Sequence, residues 1–456
     1  MSRSTHAVNA GTLDPTFAKG GVLKLPTPEF TGYYIEAILP LAENQLLIAV
    51  LLPGDPTPIG LAKVKEGGSI DMVFGGAGTG LVKFSLEDYD LDVRQLCGLS
   101  DGGWLVIGQY SPLGSGSGGV YVLRYFQDGW LDTFFGEGGV RLLPYRGEAR
   151  AGDREEGPAP FGRRDRETSA GAPRASGAKG VSAVVQSDGK IVLSSVVRLD
   201  SGPSQAAVFR LNPNGSIDDT FNGSGFAIIE LPGIPYDRLN IYAVVVQADG
   251  KVLVAGEYIQ DSPPGGVYVI RLDATGRLET SFNGGVGAVT VAVPNSTLID
   301  INAMALRASD GAIVAAGEIR RDRYSHGLMF VLTHGGFFDF AFNRGQPLLS
   351  SLVTDGQQWR HCAWQADGSI VVAGITGRGF VEEGTTALTA RFRSDGSLDP
   401  TFNENGFVLF DEKERYETVV DMALMPNGRI VVGGFTWLGG SGLPGKDKGW
   451  IIRYLA

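Results

Sequence analysis

The side chains best suited to chemistry in this chain of 456 residues are spread widely along it. His361 could act as a general base, and Asp421 could orient its ring, which is the pairing that acid–base and nucleophilic catalysis use. No nucleophile can be assigned beside them, so both are candidates for a catalytic role and no more. Four further polar residues occupy the same two consecutive positions of an internal repeat, at the start of an inner strand, and are ligand-binding candidates: Glu36, Arg94, Gln95 and Arg360.

The internal repeat is the strongest signal in the sequence. An Asp-x-x-Phe motif, seen as "LDPTF" at 13–17 and at 398–402, occurs seven times with conservative changes. It ends at Phe17, Phe74, Phe135, Phe221, Phe282, Phe342 and Phe402. The spacings are therefore 57, 61, 86, 61, 60 and 60 residues, and the long one contains an insertion. Motifs such as "ADGKVLVAG" and "VIRL" recur with the same period.

Each repeat predicts four short β-strands, called A to D. The runs "YAVVVQ" and "KVLVAG" are joined by Ala-Asp-Gly, which is typical of a tight hairpin. The run "VYVIRL" follows a variable loop, and a Gly/Asp-rich turn leads to "GAVTVAV". No segment shows a helical period. Seven such units predict an all-β fold, a seven-bladed β-propeller with four antiparallel strands per blade.

The chain starts at a C–D turn and ends after a strand C, "GWIIRYLA". We expect "GVLKL" near the N-terminus to supply the outermost strand of the last blade, which closes the ring by backbone hydrogen bonds. Residues 1–456 then form a single domain, interrupted at 144–180. That segment has eight basic and six acidic side chains and few apolar ones. It is expected to be a flexible loop or, alternatively, a lid or partner-binding arm.

The motifs "LDPTFNENGFVLF", "ADGSIVVAG" and "ARFRSDGSLDPTF" resemble the bacterial delta-60 repeat family. The resemblance covers the chain outside 144–180 and implies a propeller scaffold, with little information on activity. Blade 1, with "AENQLL", and blade 5, with "FVLTHGGFFDFAF", depart from the pattern.

Residues present in every repeat are interpreted as scaffold. One such column is acidic: Asp14, Asp71, Asp132, Asp218, Glu279, Asp339 and Asp399. A carboxylate at a turn accepts hydrogen bonds from nearby backbone N–H groups, which explains the column without a metal. A second column is basic, and we expect it to pair with the acids between blades: Lys63, Arg124, Arg210, Arg271, Arg391 and Arg453.

The B–C and D–A connections vary in length and lie on one face, here called the variable face. Loops on a rigid scaffold can diverge there into a binding surface. Blades 6, 7, 1 and 2 are neighbours around the ring, so Glu36, Arg94, Gln95, Arg360, His361 and Asp421 could converge at one side of the channel mouth. The favoured alternative is a hydrated polar plug.

The variable loops add further candidates for ligand binding. Arg321, Tyr324 and His326 lie on the B–C loop of blade 5, and Trp437 is expected to be exposed in blade 7. Aromatic residues also precede strand A in five blades: Tyr34, Tyr89, Tyr236, Trp359 and Tyr416. They could stack on sugar rings, but we favour a role as caps of the blades.

Composition narrows the classes of partner. A net charge of −11 disfavours nucleic acid. No stretch has the 18 or so apolar residues that span a bilayer. The N-terminus lacks the apolar core of a signal peptide, so a cytoplasmic location is the default, with signal-independent export left open. No metal or cofactor is predicted, because four His and two Cys give no closely spaced ligand set. Cys97 and Cys362 are expected to be reduced, buried thiols.

These observations together predict a monomeric, non-catalytic propeller that binds a protein, a small molecule or a glycan through its variable face. One alternative is an enzyme, a hydrolase or lyase, with a polar site at the channel mouth. Another is a carbohydrate-binding propeller that uses the aromatic loops.

Overall fold

The computed structural model describes residues 10–28, 30, 34–54, 56–76, 78–114, 118–145, 181–197, 205–260, 265–321, 324–377, 384–412, 415–438 and 446–456. These residues form seven antiparallel sheets, and the predicted seven-bladed propeller is confirmed. Their helical content is three 3₁₀ turns, at Ala42–Asn44, Phe282–Gly285 and Asn343–Gly345. Most of the predicted insertion, residues 146–180, lies outside the described residues.

The strands are numbered β1 to β29 in chain order. The innermost strands A are β2 (Tyr34–Pro40), β6 (Tyr89–Leu91) with β7 (Gln95–Gly98), β11 (Ala183–Val185), β15 (Arg238–Val246), β19 (Leu298–Leu306), β23 (Gln357–Trp364) and β27 (Arg415–Leu424). The strands B are β3 (Leu46–Leu51), β8 (Trp104–Pro112), β12 (Ile191–Val197), β16 (Val252–Ile259), β20 (Ile313–Arg321), β24 (Ile370–Thr376) and β28 (Ile430–Leu438).

The outer half of each blade completes the set. The strands C are β4 (Ile59–Val64), β9 (Gly119–Tyr125), β13 (Gln205–Leu211), β17 (Gly266–Leu272), β21 (Tyr324–Leu332), β25 (Ala387–Phe392) and β29 (Lys446–Tyr454). The strands D are β5 (Val82–Phe84), β10 (Val140–Pro144), β14 (Phe226–Ile228), β18 (Ala288–Val291), β22 (Leu348–Ser350), β26 (Phe407–Phe410) and β1 (Val22–Leu25).

The ring is closed by the two ends of the chain, as predicted. β1 pairs antiparallel with β29 in register, from Val22 opposite Ile452 to Leu25 opposite Gly449. Blade 7 therefore takes its outermost strand from the N-terminal region, and its ladder of backbone hydrogen bonds is completed without an eighth repeat.

The apolar core lies between neighbouring sheets. The cluster between blades 4 and 5, for example, combines Leu253 and Val269 of one sheet with Ile313 and Phe330 of the next. The alternation along each strand places one apolar face on each neighbour, so every sheet is covered on both sides. The propeller is thus held by a series of blade-to-blade layers.

The C–D turns carry a second set of blade-to-blade contacts, here called the turn ring. In blade 3, Phe221 lies against Gly276 of blade 4, where an added Cβ would stand 2.9 Å from the ring. The N–H of the next residue, Asn222, donates to the carbonyl oxygen of Thr275 at 2.6 Å. Equivalent bonds run from Ala18 to Gly67, Gly136 to Asn214, Asn283 to Gly335, Asn343 to Asp395 and Asn403 to Ala10. The Asp-x-x-Phe motif therefore joins each blade to the next.

The acidic column acts locally, as predicted. Each of the seven carboxylates accepts a hydrogen bond from the backbone N–H two residues further on, as Asp14 does from Thr16 at 2.9 Å. This contact fixes the turn that presents the Phe to the next blade.

The prediction that the basic column pairs with these acids between blades is wrong. Arg210 pairs with Asp218 of its own blade, because strand C and the following turn are adjacent in sequence. Its other nitrogen, Nη1, reaches blade 4 and donates to the carbonyl oxygen of Ala274 at 2.6 Å. The same reach to a carbonyl of the next blade occurs from Lys63 to Gln127, Arg124 to Pro213, Arg271 to His334 and Arg453 to Glu66.

Candidate functional site

The candidate residues at the channel lie on a β-bulge that recurs in the inner strands. The register of strand A against strand B shifts around Glu36, Tyr242, Asn302, Arg360 and Val420. In blade 2 the same place is a break between β6 and β7, and it contains Arg94. A bulge adds one residue and redirects its side chain, so the sequence position that looked variable is one defined backbone site. We call these positions and their equivalents in the other blades, each taken together with the residue that follows it, the bulge ring.

A glycine of strand B makes room for most of these bulges. An added Cβ would stand 1.9 Å from the carbonyl oxygen of Asn240 at Gly256 and 1.8 Å from that of Gln358 at Gly374. Gly108, Gly317 and Gly434 are equally close to the facing strand. The final glycine of motifs such as "VLVAG" is therefore explained by close backbone approach. Blade 1 has Val50 at this position.

Blades 6, 7 and 1 bring Arg360, His361 and Asp421 together. His361 Nδ1 lies 3.7 Å from Asp421 Oδ1, which is longer than a hydrogen bond. Asp421 Oδ2 instead accepts the backbone N–H of Ile38 in blade 1 at 2.8 Å, and Oδ1 accepts that of Met422 at 2.9 Å. The carboxylate thus links two inner strands while it stands within ion-pair distance of His361.

Arg360 is buried between its neighbours. Its Nη1 donates to the carbonyl oxygen of Val419 in blade 7 at 3.4 Å. Burial lowers the pKa of Arg360 to about 10, while the nearby carboxylate of Glu318 in blade 5 favours the charged form. The guanidinium stays charged at neutral pH and bridges blades 5, 6 and 7.

Blades 1, 2 and 3 gather Glu36, Arg94 and Gln95 in a second group. Arg94 Nη2 donates to Asp92 Oδ2 at 2.6 Å and to Gln109 Oε1 at 2.9 Å. Burial opposes the charge of Arg94, but the carboxylates of Asp92 and Glu36 outweigh it and raise its pKa. Gln109 Nε2 in turn donates to the hydroxyl of Tyr145 at 2.6 Å. The group is a connected polar network.

Gln95 makes the clearest bridge in the bulge ring. Its Nε2 donates to the carbonyl oxygen of Ala183, and its Oε1 accepts the N–H of the same residue, both at 2.9 Å. The side-chain amide therefore takes the place of a strand on the open edge of β11. Ser182 Oγ accepts the N–H of Val244 at 3.2 Å, and Asn302 Nδ2 donates to the carbonyl oxygen of Trp359 at 2.9 Å.

Three polar residues of this region were not singled out from the sequence: Gln109, Glu257 and Glu318. Each directly follows the bulge glycine of strand B, where blades 6 and 7 have Ile375 and Phe435. Glu257 Oε1 accepts the hydroxyl of Tyr242 at 2.7 Å and the amide of Asn240. Burial, with the carboxylates of Glu257 and Asp300, raises the pKa of Tyr242 well above its usual value. The signal was present as "IGQ", "AGE" and "AGE", one residue beyond the repeated motif.

Glu417 is a fully buried carboxyl group at the start of the inner strand of blade 7. Its Oε1 accepts the backbone N–H of Glu412 at 2.9 Å, and its backbone exchanges two hydrogen bonds with Thr385 of blade 6. Burial raises the pKa of Glu417 to about 8, although the hydrogen bond from Glu412 opposes this, and the charges of Asp411 and Glu412 add to the rise. The group is protonated at neutral pH.

The loop candidates separate into two environments. Arg321 and Tyr324 face each other at the end of the β20–β21 hairpin of blade 5, where Tyr324 is 52% exposed. His326 Nδ1 lies 2.7 Å from the hydroxyl of Ser351. The prediction that Trp437 is exposed is wrong, because β28 extends to Leu438 and packs the indole on Phe435. Its Nε1 donates to Thr418 Oγ1 at 2.9 Å.

The contacts of three aromatic residues at the start of strand A favour a structural role as caps of the blades and not a role in stacking on sugar rings. Trp359 is fully buried and donates to Ser350 Oγ at 3.0 Å. Tyr34 packs edge-on against Phe435 of blade 7, and Tyr89 against Tyr110 within blade 2. Their ring faces are occupied by other side chains of the propeller.

The residues that the structure describes contain no group of three or more His, Cys, Asp or Glu placed to hold a metal ion. Cys97 and Cys362 form no disulfide; Cys97 is buried, but Cys362 is partly exposed, contrary to the expectation of two buried thiols. No helix among these described residues is long and apolar enough to cross a bilayer.

Fold and repeat together define a β-propeller protein. Three segments, 186–221, 247–282 and 365–402, match the family model described as "Domain of unknown function (DUF5122) beta-propeller". Each contains a hairpin and an Asp-x-x-Phe turn, which supports a propeller family; the delta-60 name stays a resemblance. No curated protein matches the chain.

Solved structures with similar folds have varied functions. A protein of unknown function from Dyadobacter fermentans is 11% identical, with a TM-score of 0.41, over 82% of this chain and 97% of its own. Chaetomium thermophilum Sqt1, bound to the N-terminus of ribosomal protein L10, is 11% identical with a TM-score of 0.42, over 93% and 97%. A PL25 ulvan lyase is 10% identical with a TM-score of 0.44, over 94% of each chain. None of them carries an argument about the function of this chain.

Proposed function

We propose that the protein is a non-catalytic binding propeller that recognises its partner through the variable face. The supporting observation is that polar candidate residues at the channel make backbone contacts to the inner strand of a neighbouring blade. Asp421 binds the inner strand of blade 1, Arg360 that of blade 7, and Gln95 that of blade 3. A group held by backbone contacts of this kind is poorly placed to move protons to and from a substrate, because catalysis needs a base within reach of the reacting atom.

The end of the β20–β21 hairpin is the proposed centre of the binding surface. It pairs Arg321 across the ladder with Tyr324, whose side chain is 52% exposed, on a chain whose net charge is −11. Arg and Tyr are among the residue types enriched at the energetic centres of protein interfaces. Basic residues next to an exposed aromatic residue suit a carboxylate-bearing partner, so we propose an acidic protein segment as the ligand.

The test measures binding of a poly-glutamate peptide to the full chain by calorimetry, beside a neutral oligosaccharide and a uronic-acid oligosaccharide. The expected result is binding of the peptide that weakens about tenfold, or about 1.4 kcal/mol, in Arg321→Ala/Tyr324→Ala. Arg393→Ala, an equally basic and half-exposed site on the opposite face, is the matched control and should leave binding unchanged.

Three results would overturn the proposal. Binding of none of the three probes would remove the hairpin end as an anion-binding surface. Binding that survives in the hairpin variant but is lost in His361→Gln would place the ligand at the channel and favour the enzyme alternative. Preference for the neutral sugar would favour the carbohydrate-binding alternative.

A further inference from the structure

The most exposed aromatic side chains among the described residues lie in C–D turns, on the face opposite the variable face. Phe134 is 90% exposed, Phe340 78%, Trp130 68% and Phe337 55%. Exposed apolar patches of this kind mark interaction surfaces, since scattered single residues are the normal case. Blades 2 and 5 supply all four side chains, so the feature is concentrated in two places.

These aromatics are not required by the scaffold. At the position of Trp130 three of the other blades have a serine, namely Ser69, Ser216 and Ser397, and at the position of Phe134 three have a threonine, namely Thr16, Thr220 and Thr401. Each of those threonines donates its hydroxyl to the turn carboxylate, as Thr16 does to Asp14 at 2.6 Å. Blade 2 gives up that hydrogen bond in favour of an exposed ring. The repeat therefore identifies the aromatics as additions to the turn.

Each aromatic group extends onto the preceding blade. Gly129 of blade 2 packs against Phe74 of blade 1, so the turn that carries Trp130 is in contact with the turn that carries the 78%-exposed Val73. We call Val73, Phe126, Trp130 and Phe134 the blade 2 patch.

The second group is built in the same way. Phe337 of blade 5 lies against the 283–286 loop of blade 4, 3.5 Å from where a Cβ on Gly284 would be. That loop also exposes Val286. We call Val286, Phe337 and Phe340 the blade 5 patch, and it lies three blades away from the blade 2 patch.

The charges beside the two patches are of opposite sign. Asp128 and Glu137 are exposed next to the blade 2 patch. Arg277 and Arg344 are exposed next to the blade 5 patch. Opposite charges at the edges of apolar surfaces steer and register an interface. The two patches are thus complementary to each other in charge and alike in apolar character.

We propose that the turn face is a self-association surface, on which the blade 2 patch of one copy packs against the blade 5 patch of a second copy. Both patches lie on one face of the disc, so a two-fold axis in the plane of that face, halfway between them, exchanges the two. Such an isologous dimer uses each patch once per copy and leaves neither open for a third chain. This proposal departs from the expectation of a monomer and is independent of the function proposed for the variable face.

The size of the surface favours a contact that uses both patches. A fully buried aromatic side chain covers about 150–250 Å², and a stable interface needs about 800 Å² per partner. Because each ring is already partly buried, the aromatic side chains of one patch offer about half of that area, whereas those of both patches approach it. A second copy supplies the required pair of contacts at once.

The experiment measures the mass of the full chain by sedimentation velocity from about 0.1 to 100 µM, the range in which interfaces of this size dissociate. The parent is expected to be a dimer that becomes monomeric in Trp130→Ser/Phe134→Thr, which restores the side chains of other blades. Leu113→Ser, on the variable face and 48% exposed, is the matched control and should remain dimeric.

Charge reversal distinguishes a second copy from any other partner. Asp128→Arg/Glu137→Arg should weaken the dimer at least about tenfold by placing like charges opposite each other. Arg277→Glu/Arg344→Glu should do the same, and combining all four substitutions should restore the dimer. A parent that stays monomeric over the whole range, a dimer unaffected by Trp130→Ser/Phe134→Thr, or failure of the fourfold variant to recover would each overturn the proposal.

Discussion

The turn ring and the bulge ring both join neighbouring blades, but they do so by opposite means. In the turn ring the same residues recur: a carboxylate, a cation and a Phe, with a carbonyl of the next blade as acceptor. In the bulge ring the backbone recurs and the side chains differ. Asp421, Gln95 and Asn302 each reach the next inner strand, one by accepting, one by accepting and donating, and one by donating.

The difference follows from what each position must satisfy. A C–D turn has to present a Phe at a fixed place, so its residues are constrained together. The bulge ring has to satisfy N–H and C=O groups on open edges of inner strands, and any side chain with a suitable donor or acceptor can do this. Variation among repeats is therefore compatible with a purely structural role. Polar residues that interrupt a repeat are not, on that ground alone, a functional site.

The largest expected effect on stability concerns the acidic column of the turn ring. The carboxylate at this position is fully buried in one blade and partly exposed in another. Asp14 is fully buried, accepts hydrogen bonds from Thr16 and Arg453, and forms a second ion pair with Arg429. Asp14→Ala leaves two guanidinium groups without their carboxylate and should lower the free energy of unfolding by about 3–5 kcal/mol, as measured in urea.

Asp71 is the matched control, because it holds the same position in blade 1. It is partly exposed, with Lys65 Nζ at 3.3 Å as its paired cation. Asp71→Ala should cost about 1 kcal/mol or less. Equal losses in the two variants would mean that the turn geometry, and not the buried ion pairs, accounts for the stability of the ring.

The turn ring also explains why so much of the fold was accessible from the sequence. Asp-x-x-Phe and the hairpin Asp-Gly are local signals that repeat seven times, and the unpaired strands at the two ends predict the pairing of β1 with β29. The structural role of the acidic column could be predicted from the sequence, because it depends only on a turn and the backbone N–H groups within it.

The site was less accessible, because its contacts are made across blades. Nothing local in "RHCAW" shows that Arg360 reaches Val419, or that Gln95 spans to Ala183. The burial of Trp437 could not be predicted, because the length of β28 depends on its pairing with β27 and β29. The exposed aromatic residues of blade 2 are visible in the sequence, because they replace the serine or threonine that several other C–D turns have at the same positions.

The next effect in size is a pH dependence that comes from the buried carboxyl group at the start of the inner strand of blade 7. Glu417 has a pKa of about 8 in the folded chain against an ordinary value of 4.5. Its stabilising contribution is therefore complete below pH 4.5 and is lost as the pH rises toward 8. Between those limits the free energy of unfolding should fall by at most about 1.4 kcal/mol per pH unit more in the parent than in Glu417→Gln. Parallel pH profiles of the two proteins, from pH 5 to 8, would contradict this assignment.

The smallest effect comes from a single bridge of the bulge ring. Gln95→Ala removes both hydrogen bonds to Ala183 and leaves its N–H and C=O groups without the side-chain amide, which should cost about 1–3 kcal/mol in urea unfolding. Gln127→Ala, an exposed Gln in the turn of the same blade, is the control and should be close to neutral. Gln95→Glu keeps the acceptor for the Ala183 N–H but opposes a carboxylate to the carbonyl oxygen, so its loss should exceed that of Gln95→Ala. Neutral behaviour of both Gln95 variants would show that the edge of β11 does not need this bridge, and Gln95 would return to the set of ligand-binding candidates.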